Sequence, residues 1–156
     1  MSISICYAVI YILEACILWQ YCRNLFSSKY TKQQEAVFLF LGYSVLFAGS
    51  FFDNYRLNLV MFFLVNLLCI FIIYQLKLLT ALFHSLFITI SMTLSELGII
   101  SILSYFGSNF YEERSYFRNL VILSVISKLL YFLILQCTSI YIKRRITREL
   151  SFSKST

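Results

Sequence analysis

Two acids and one lysine stand inside long apolar stretches of this 156-residue chain, where ionisable side chains are rare. The stretch 78–105 contains no Lys, Arg, Asp or Pro, yet it includes Glu96. Lys128 lies in the next apolar stretch, and Glu14 lies in the first. Because a lone charge in hydrocarbon costs several kcal/mol, we expect each of these side chains to face protein or a wet cavity.

Helical rise places Glu96 and Lys128 at the same depth. Each lies nine residues from the outer end of its stretch, at Tyr105 and Asn119, which corresponds to roughly 14 Å along a helix. Neighbouring stretches joined by a short loop run antiparallel, so the two side chains can meet. The pair predicts either a buried ion pair that fixes helix register or a switch or ligand-facing pair.

Glu14 is expected at a similar depth, roughly 16 Å into the first stretch. It can therefore compete with Glu96 as the partner of Lys128. Two carboxylates around one lysine would leave one carboxylate poorly compensated.

His84 is the single histidine of the chain and lies near the inner end of the fourth stretch. We expect it to be interfacial or hydrogen-bonded, because a metal site needs further ligands. The sequence contains no HExxH, GxSxG, P-loop or dinucleotide-binding motif. These observations predict no catalytic residue, no metal site and no cofactor.

The loop between the fourth and fifth stretches mixes aromatic and acidic side chains at Tyr111, Glu112 and Glu113. We expect this loop at the outer face of the membrane. It fits either a solvated loop with interfacial aromatics or a ligand-facing segment that docks a basic or amphipathic peptide.

The elements that position these residues follow from a composition typical of integral membrane proteins. Hydrophobic residues make up 60% of the chain and charged residues 13%, against about 25% charged residues in soluble domains. The net charge is +6, but the bases lie in short loops and near the C-terminus, which indicates lipid headgroups and topology rather than nucleic acid. The five cysteines form no CxxC pair and are expected to be buried small hydrophobic residues.

The apolar stretches predict an all-α polytopic membrane protein, an antiparallel bundle of five transmembrane helices in one domain, residues 1–145. A basic cytoplasmic tail, 146–156, follows. The predicted spans are 3–21, 36–52, 57–74, 78–105 and 119–141.

An odd number of spans places the two termini on opposite sides of the membrane. Nine Lys and Arg residues then fall on the side of the tail and three on the other side. The positive-inside rule therefore predicts a multi-pass protein of the cell membrane, with its N-terminus outside and its C-terminus in the cytoplasm.

Three segments resemble the membrane sensor region of GHKL-type histidine kinases of Firmicutes, which are relatives of the receptors for secreted quorum peptides. They read NYRLNLVMFFLV, YQLKLLTALFHSLFITISMTLSELGI and VISKLLYFLIL. In this family an apolar helix ends in Ser-Glu, matched by Ser95 and Glu96, and a following helix carries Ser-Lys-Leu-Leu, matched by 127–130. The resemblance covers residues 53–145 and extends more weakly over the first two spans.

The resemblance implies a sensor or receptor-like domain of a two-component signalling protein. The family's kinases continue with further spans, a phosphoacceptor-histidine helix and an ATP-binding domain, and none of these occurs in this sequence. We therefore expect no enzymatic activity. The chain is expected to be a sensor fragment, a truncated homologue or a small protein that shares only the membrane fold. The expected partners are the lipid bilayer, an extracellular peptide or small ligand, and a second copy or another membrane protein, without nucleic acid.

A small-solute-binding membrane subunit of a transporter is the alternative function. In that case the polar interior of the first, fourth and fifth spans would form the solute pocket. A deep, outward-open polar cavity of about 300 Å³ or more would favour solute binding. A tightly packed bundle with a closed polar core would favour a signalling or scaffold role.

Overall fold

A computed structural model describes residues 3–52, 54–106 and 116–153 of the chain. Within these residues the structure consists of helices and short connections, without strands, so the predicted all-α fold is confirmed. A short 3₁₀ turn follows the second helix at Ser50–Phe52. The five long helices are α1 (Ile3–Leu25), α2 (Lys32–Gly49), α3 (Tyr55–Tyr74), α4 (Leu78–Phe106) and α5 (Tyr116–Ser153).

The five helices form a closed ring. Each helix packs against the next one along the chain, and α5 packs back against α1. Because consecutive helices alternate in direction, α1 and α5 run parallel, and the side chain of Asn24 donates a hydrogen bond to that of Gln136. Closure of the ring buries its inward-facing side chains. The core includes Leu18, Tyr21, Ile70, Ile88 and Leu135.

Four helices in the described part of the chain are long and apolar enough to cross a membrane. These candidate spans are Lys32–Phe52, Tyr55–Tyr74, Leu78–Ile102 and Ile122–Arg145. The bundle also exposes large apolar side chains on its outer surface, as a lipid environment requires. Helix α1 completes the ring but is not among the four, so its crossing of the membrane stays a prediction.

Local hydrogen bonds set where the helices begin and end. Helix α2 starts with a capping box, in which the Thr31 side chain accepts from the Gln34 N–H and the Gln34 side chain accepts from the Thr31 N–H. Asn54 caps α3 by accepting from the Leu57 N–H. After α3, Gln75 adopts a left-handed conformation with φ of 48°. This conformation ends the helix and lets the chain turn into α4 within three residues.

Helices α2 and α3 approach each other closely at Gly42. A Cβ atom at this position would lie 3.0 Å from both Cys69 Sγ and Val65 Cγ1. Glycine therefore permits the packing of α2 on α3. Gly98 on α4 differs, since a Cβ atom there would meet nothing within 4 Å in the described structure.

Helix α5 extends well beyond the predicted span 119–141. It continues to Ser153, so most of the predicted tail is a continuation of the same helix. The added segment contains no Gly or Pro and several Lys and Arg residues, which favour helix. With 38 residues, α5 is roughly 57 Å long, whereas the hydrocarbon core of a bilayer is about 30 Å thick.

The four cysteines whose side chains the structure describes divide into two groups. Cys22 and Cys69 are buried in the ring, as expected, whereas Cys16 and Cys137 are exposed on its outer surface. All four are free thiols. The prediction of burial is wrong for the exposed pair, because a small apolar thiol is also compatible with a helix face that contacts lipid.

Candidate functional site

Lys128 contacts both of the acids that lie in the predicted spans, and it does so inside the ring. Its Nζ lies 2.5 Å from Glu14 Oε1 and 2.6 Å from Glu96 Oε1. The three residues come from α5, α1 and α4, and they meet because α5 lies between the other two helices in the ring. We call Glu14, Glu96 and Lys128 the charge cluster. The two acids share the lysine, so neither excludes the other.

The members of the charge cluster are unequally buried. The side chains of Glu14 and Lys128 are 3% and 5% exposed, whereas that of Glu96 is 30% exposed. The second carboxylate oxygen of Glu14, Oε2, is buried without a hydrogen-bond partner among the described residues. Two carboxylates therefore face one ammonium group, and one buried acceptor remains free.

A cavity of about 330 Å³ lies beside the charge cluster and has all three of its members in the wall. Apolar side chains such as Leu59 and Phe62 line it as well. It extends from the cluster toward the end of the bundle at which α1 and α3 begin, which is the outer end in the predicted topology. The other polar side chains of the wall are Tyr7, Tyr11, Ser50, Tyr55, Asn58 and Ser124.

Most hydroxyl groups of α4 are satisfied within their own helix. Thr89 donates to the carbonyl oxygen of Ser85, Thr93 to that of Thr89, and Ser95 to that of Ser91, at 2.7 to 2.9 Å. Small polar side chains bonded in this way let α4 pack closely against α3 and α5. The hydroxyl groups that bond in this way therefore serve packing, whereas Glu96 contributes to the cavity wall.

No family model, curated protein or solved structure matches this chain.

His84 lies in the interior at the opposite end of α4 from the charge cluster. Its Nδ1 is 2.9 Å from the hydroxyl oxygen of Tyr21, and the ring of Phe26 packs edge-on with its centroid 4.9 Å away. This is a hydrogen-bonded histidine packed among aromatic rings. Across residues 3–52, 54–106 and 116–153, no group of three His, Cys, Asp or Glu side chains could hold a metal ion.

Replacing Tyr21 with Phe is expected to destabilise the bundle by about 1–3 kcal/mol, because His84 Nδ1 would stay buried without its hydrogen-bond partner. Thermal unfolding of the purified protein in detergent measures the effect. Tyr141→Phe is the matched control, since Tyr141 is exposed on the outer surface. Equal melting temperatures of the two variants would contradict this prediction.

Glu35 is a buried acid that the sequence analysis did not identify. Its side chain is buried, and Oε2 accepts a hydrogen bond from the indole N–H of Trp19 at 2.5 Å. The guanidinium carbon of Arg23 lies 5.3 Å from the centroid of the same indole ring. The predicted second span, 36–52, begins one residue later and therefore leaves Glu35 outside it. The N-cap at Thr31 is the sequence signal that places it inside the helix.

A second cavity, of about 360 Å³, is a groove on the outer surface between α1 and α2. Its lining includes Ala8, Ala15 and Phe40, and no charged residue. This groove is largely apolar, and the donor groups of Trp19, Tyr43 and Ser44 in its wall already form hydrogen bonds within the protein. The cavity at the charge cluster is therefore the candidate functional site.

The proposed ligand-facing loop residues Tyr111, Glu112 and Glu113 lie outside the described residues. Their role in binding a peptide stays a prediction.

Proposed function

We propose that this chain is a non-catalytic, receptor-like membrane domain that binds a small solute in the cavity beside the charge cluster. The observation that carries this proposal is the cavity of about 330 Å³ with Glu14, Glu96 and Lys128 in its wall. Small-molecule sites typically have volumes of about 300–1,000 Å³, with mostly apolar walls and a few polar groups that fix the ligand's orientation. A volume in this range favours solute binding over a closed scaffold.

The depth of the charge cluster supports the same proposal. Ionisable side chains within a membrane are costly, and those that persist commonly mark binding sites or ion pathways. We place the N-terminus outside and the C-terminus in the cytoplasm of the cell membrane, from the nine-to-three distribution of bases. In this orientation the cavity extends toward the extracellular side.

Helix α5 connects the proposed ligand site to the other side of the membrane. One continuous helix carries Lys128 at the cavity and ends at Ser153 beyond the apolar layer. The resemblance of Ser95-Glu96 and of 127–130 to GHKL-type sensor kinases supports a signalling role for such a domain. A sensor of this kind would act through a second copy or through another membrane protein.

A solute-binding subunit of a transporter is the second candidate. It is favoured by the depth of the charge cluster, roughly 14–16 Å from the predicted outer helix ends, since many transporters bind substrate near the bilayer midplane. Uptake of a bound solute into proteoliposomes would support transport, and binding without uptake would support sensing. A neighbouring gene for a transporter ATPase would likewise support transport, and one for a response regulator would support sensing.

Filling the cavity is expected to abolish solute binding. Ser124 lines the cavity, whereas the next residue, Val125, is exposed on the outer surface, so Ser124→Trp and Val125→Trp form a matched pair. Saturation-transfer NMR with a mixture of small amines, alcohols and carboxylates should detect binding to the wild type and to Val125→Trp. The signals should be lost in Ser124→Trp. Equal signals from both variants would contradict a ligand site in this cavity.

The proposed orientation predicts which introduced cysteines an impermeant thiol reagent reaches from outside the cell. In a variant whose five native cysteines are replaced, a cysteine at Ser108 should react, and one at Ser153 should react only after permeabilisation. The basic residues on the side of Ser153 are the physical reason, because they resist translocation. The reverse pattern would invert the topology and turn the cavity toward the cytoplasm.

A further inference from the structure

We infer that the cavity binds a small organic ammonium ion, whose N–H groups donate to the carboxylates of Glu14 and Glu96 in the cavity wall. This inference rests on the proposed function, because it names the chemical class of solute for the same cavity.

The charge balance of the cluster favours a cation. Glu14 and Glu96 together can carry two negative charges, and Lys128 supplies one positive charge, so the ionised cluster has a net charge of −1. A surplus charge in a poorly solvated interior is unfavourable until a counter-charge neutralises it. Lys128 already contacts both acids, so it offers little to an anionic solute. A bound cation would complete the balance.

The geometry of Glu14 specifies a cation that carries hydrogen-bond donors. Its side chain is 3% exposed and lines the cavity, and Oε1 is already held by the lysine. Oε2 has no donor among the described residues, and neighbouring atoms cover it, so a donor in the cavity reaches it only when the carboxylate turns. The carboxylate of Glu96, which is 30% exposed, is the acceptor that is open to the cavity. An ionised carboxylate only accepts hydrogen bonds, so the missing group is a donor. An N–H of an ammonium ion supplies both the proton for the hydrogen bond and the positive charge.

The rest of the wall suits an organic body attached to that ammonium group. Tyr7, Tyr11 and Tyr55 line the cavity, and aromatic rings attract cations as well as apolar groups. Leu59 and Phe62 add apolar surface. A volume of about 330 Å³ is larger than a bare metal or ammonium ion needs, and it accommodates a small aromatic or aliphatic amine.

A proton on one carboxylate is the competing way to neutralise the cluster. A protonated cluster would have no net charge and would bind a neutral alcohol about as well as an amine. Phenethylamine and 2-phenylethanol separate these cases, because they have similar size and differ in charge at neutral pH. Phenylacetate serves as the anionic member of the set.

Binding of the three probes is measured by isothermal titration to the full chain in lipid nanodiscs. We expect phenethylamine to bind about tenfold or more tightly than 2-phenylethanol, and phenylacetate not to bind. Glu14→Gln should remove the preference for the amine, while Lys128 remains paired with Glu96 so that the fold is retained. Glu35→Gln is the matched control, since Glu35 does not line the cavity, and it should keep the preference.

The Ser124→Trp variant distinguishes failure of the cation preference from failure of the proposed solute site. If amine and alcohol bind equally, and both are lost in Ser124→Trp, the cation preference is overturned while a solute site remains. If the amine preference persists in Glu14→Gln, the assignment to Glu14 is overturned. If no probe binds, or if Ser124→Trp binds as the wild type does, both this inference and the proposed function are overturned.

Discussion

Lys128→Met is expected to remove most of the folded protein. The substitution leaves the carboxylates of Glu14 and Glu96 facing each other in the ring without a cation. Breaking a buried ion pair by removing one partner typically costs about 3–5 kcal/mol, which is a large fraction of the stability of a small domain. Size-exclusion chromatography in detergent measures the yield of monodisperse protein, and Lys77→Met, at an exposed lysine in a connection, is the control.

Recovery from this damage should require both acids to be neutralised. A cycle confined to Glu96→Gln and Lys128→Met, which the sequence alone suggests, still leaves Glu14 buried and unpaired. The triple variant Glu14→Gln, Glu96→Gln and Lys128→Met should therefore give a higher yield than Lys128→Met combined with only one of the two Glu→Gln substitutions. A triple variant as damaged as Lys128→Met alone would show that the three side chains are not energetically coupled.

Gly42→Leu is expected to have the second largest effect, a loss of about 1–3 kcal/mol or more. Its Cβ atom alone would lie 3.0 Å from Cys69 Sγ and Val65 Cγ1, so the larger side chain forces α2 and α3 apart. Melting temperatures in detergent provide the measurement.

Gly98→Leu is the control for this substitution, because nothing in the described structure lies within 4 Å of a Cβ atom there. It should be neutral or slightly stabilising, since leucine favours helix more than glycine does. Adding Val65→Ala to Gly42→Leu should recover part of the loss by making room. Similar melting temperatures for the two glycine variants would mean that the α2–α3 contact tolerates separation.

The helices could be predicted from the sequence because a bilayer imposes long apolar stretches with polar interruptions. Helix α4 is the clearest example, with a predicted range of 78–105 and an observed range of Leu78–Phe106. Helix α5 is the main exception. Hydropathy marks where a span leaves the membrane, but a helix ends only where backbone and capping chemistry stop it, and the sequence after Tyr141 has no such signal.

The site was predictable in part for a similar reason. Helical rise alone places Glu14, Glu96 and Lys128 at similar depths, but depth does not reveal which helices are neighbours. The closed ring sets α5 between α1 and α4, and this arrangement allows one lysine to contact both acids. The sequence suggests a pocket among the first, fourth and fifth spans, but the volume of the cavity and its wall on α3 could not be predicted, because they depend on how side chains from several helices fail to fill the space between them.

The closed ring also determines the order in which contacts form during synthesis of the protein. The contact between Asn24 and Gln136 joins residues 112 positions apart, so the ring stays open while α1 to α4 are synthesised. During that interval Glu14 has no lysine partner, and it must be sheltered by water, a proton or the insertion machinery. When α5 is synthesised and packs against α1 and α4, it supplies Lys128 and closes the ring. Folding is therefore completed when Lys128 forms ion pairs with the two acids. A nascent chain stalled before α5 would keep an unpaired acid that the quality-control machinery of the membrane could recognise.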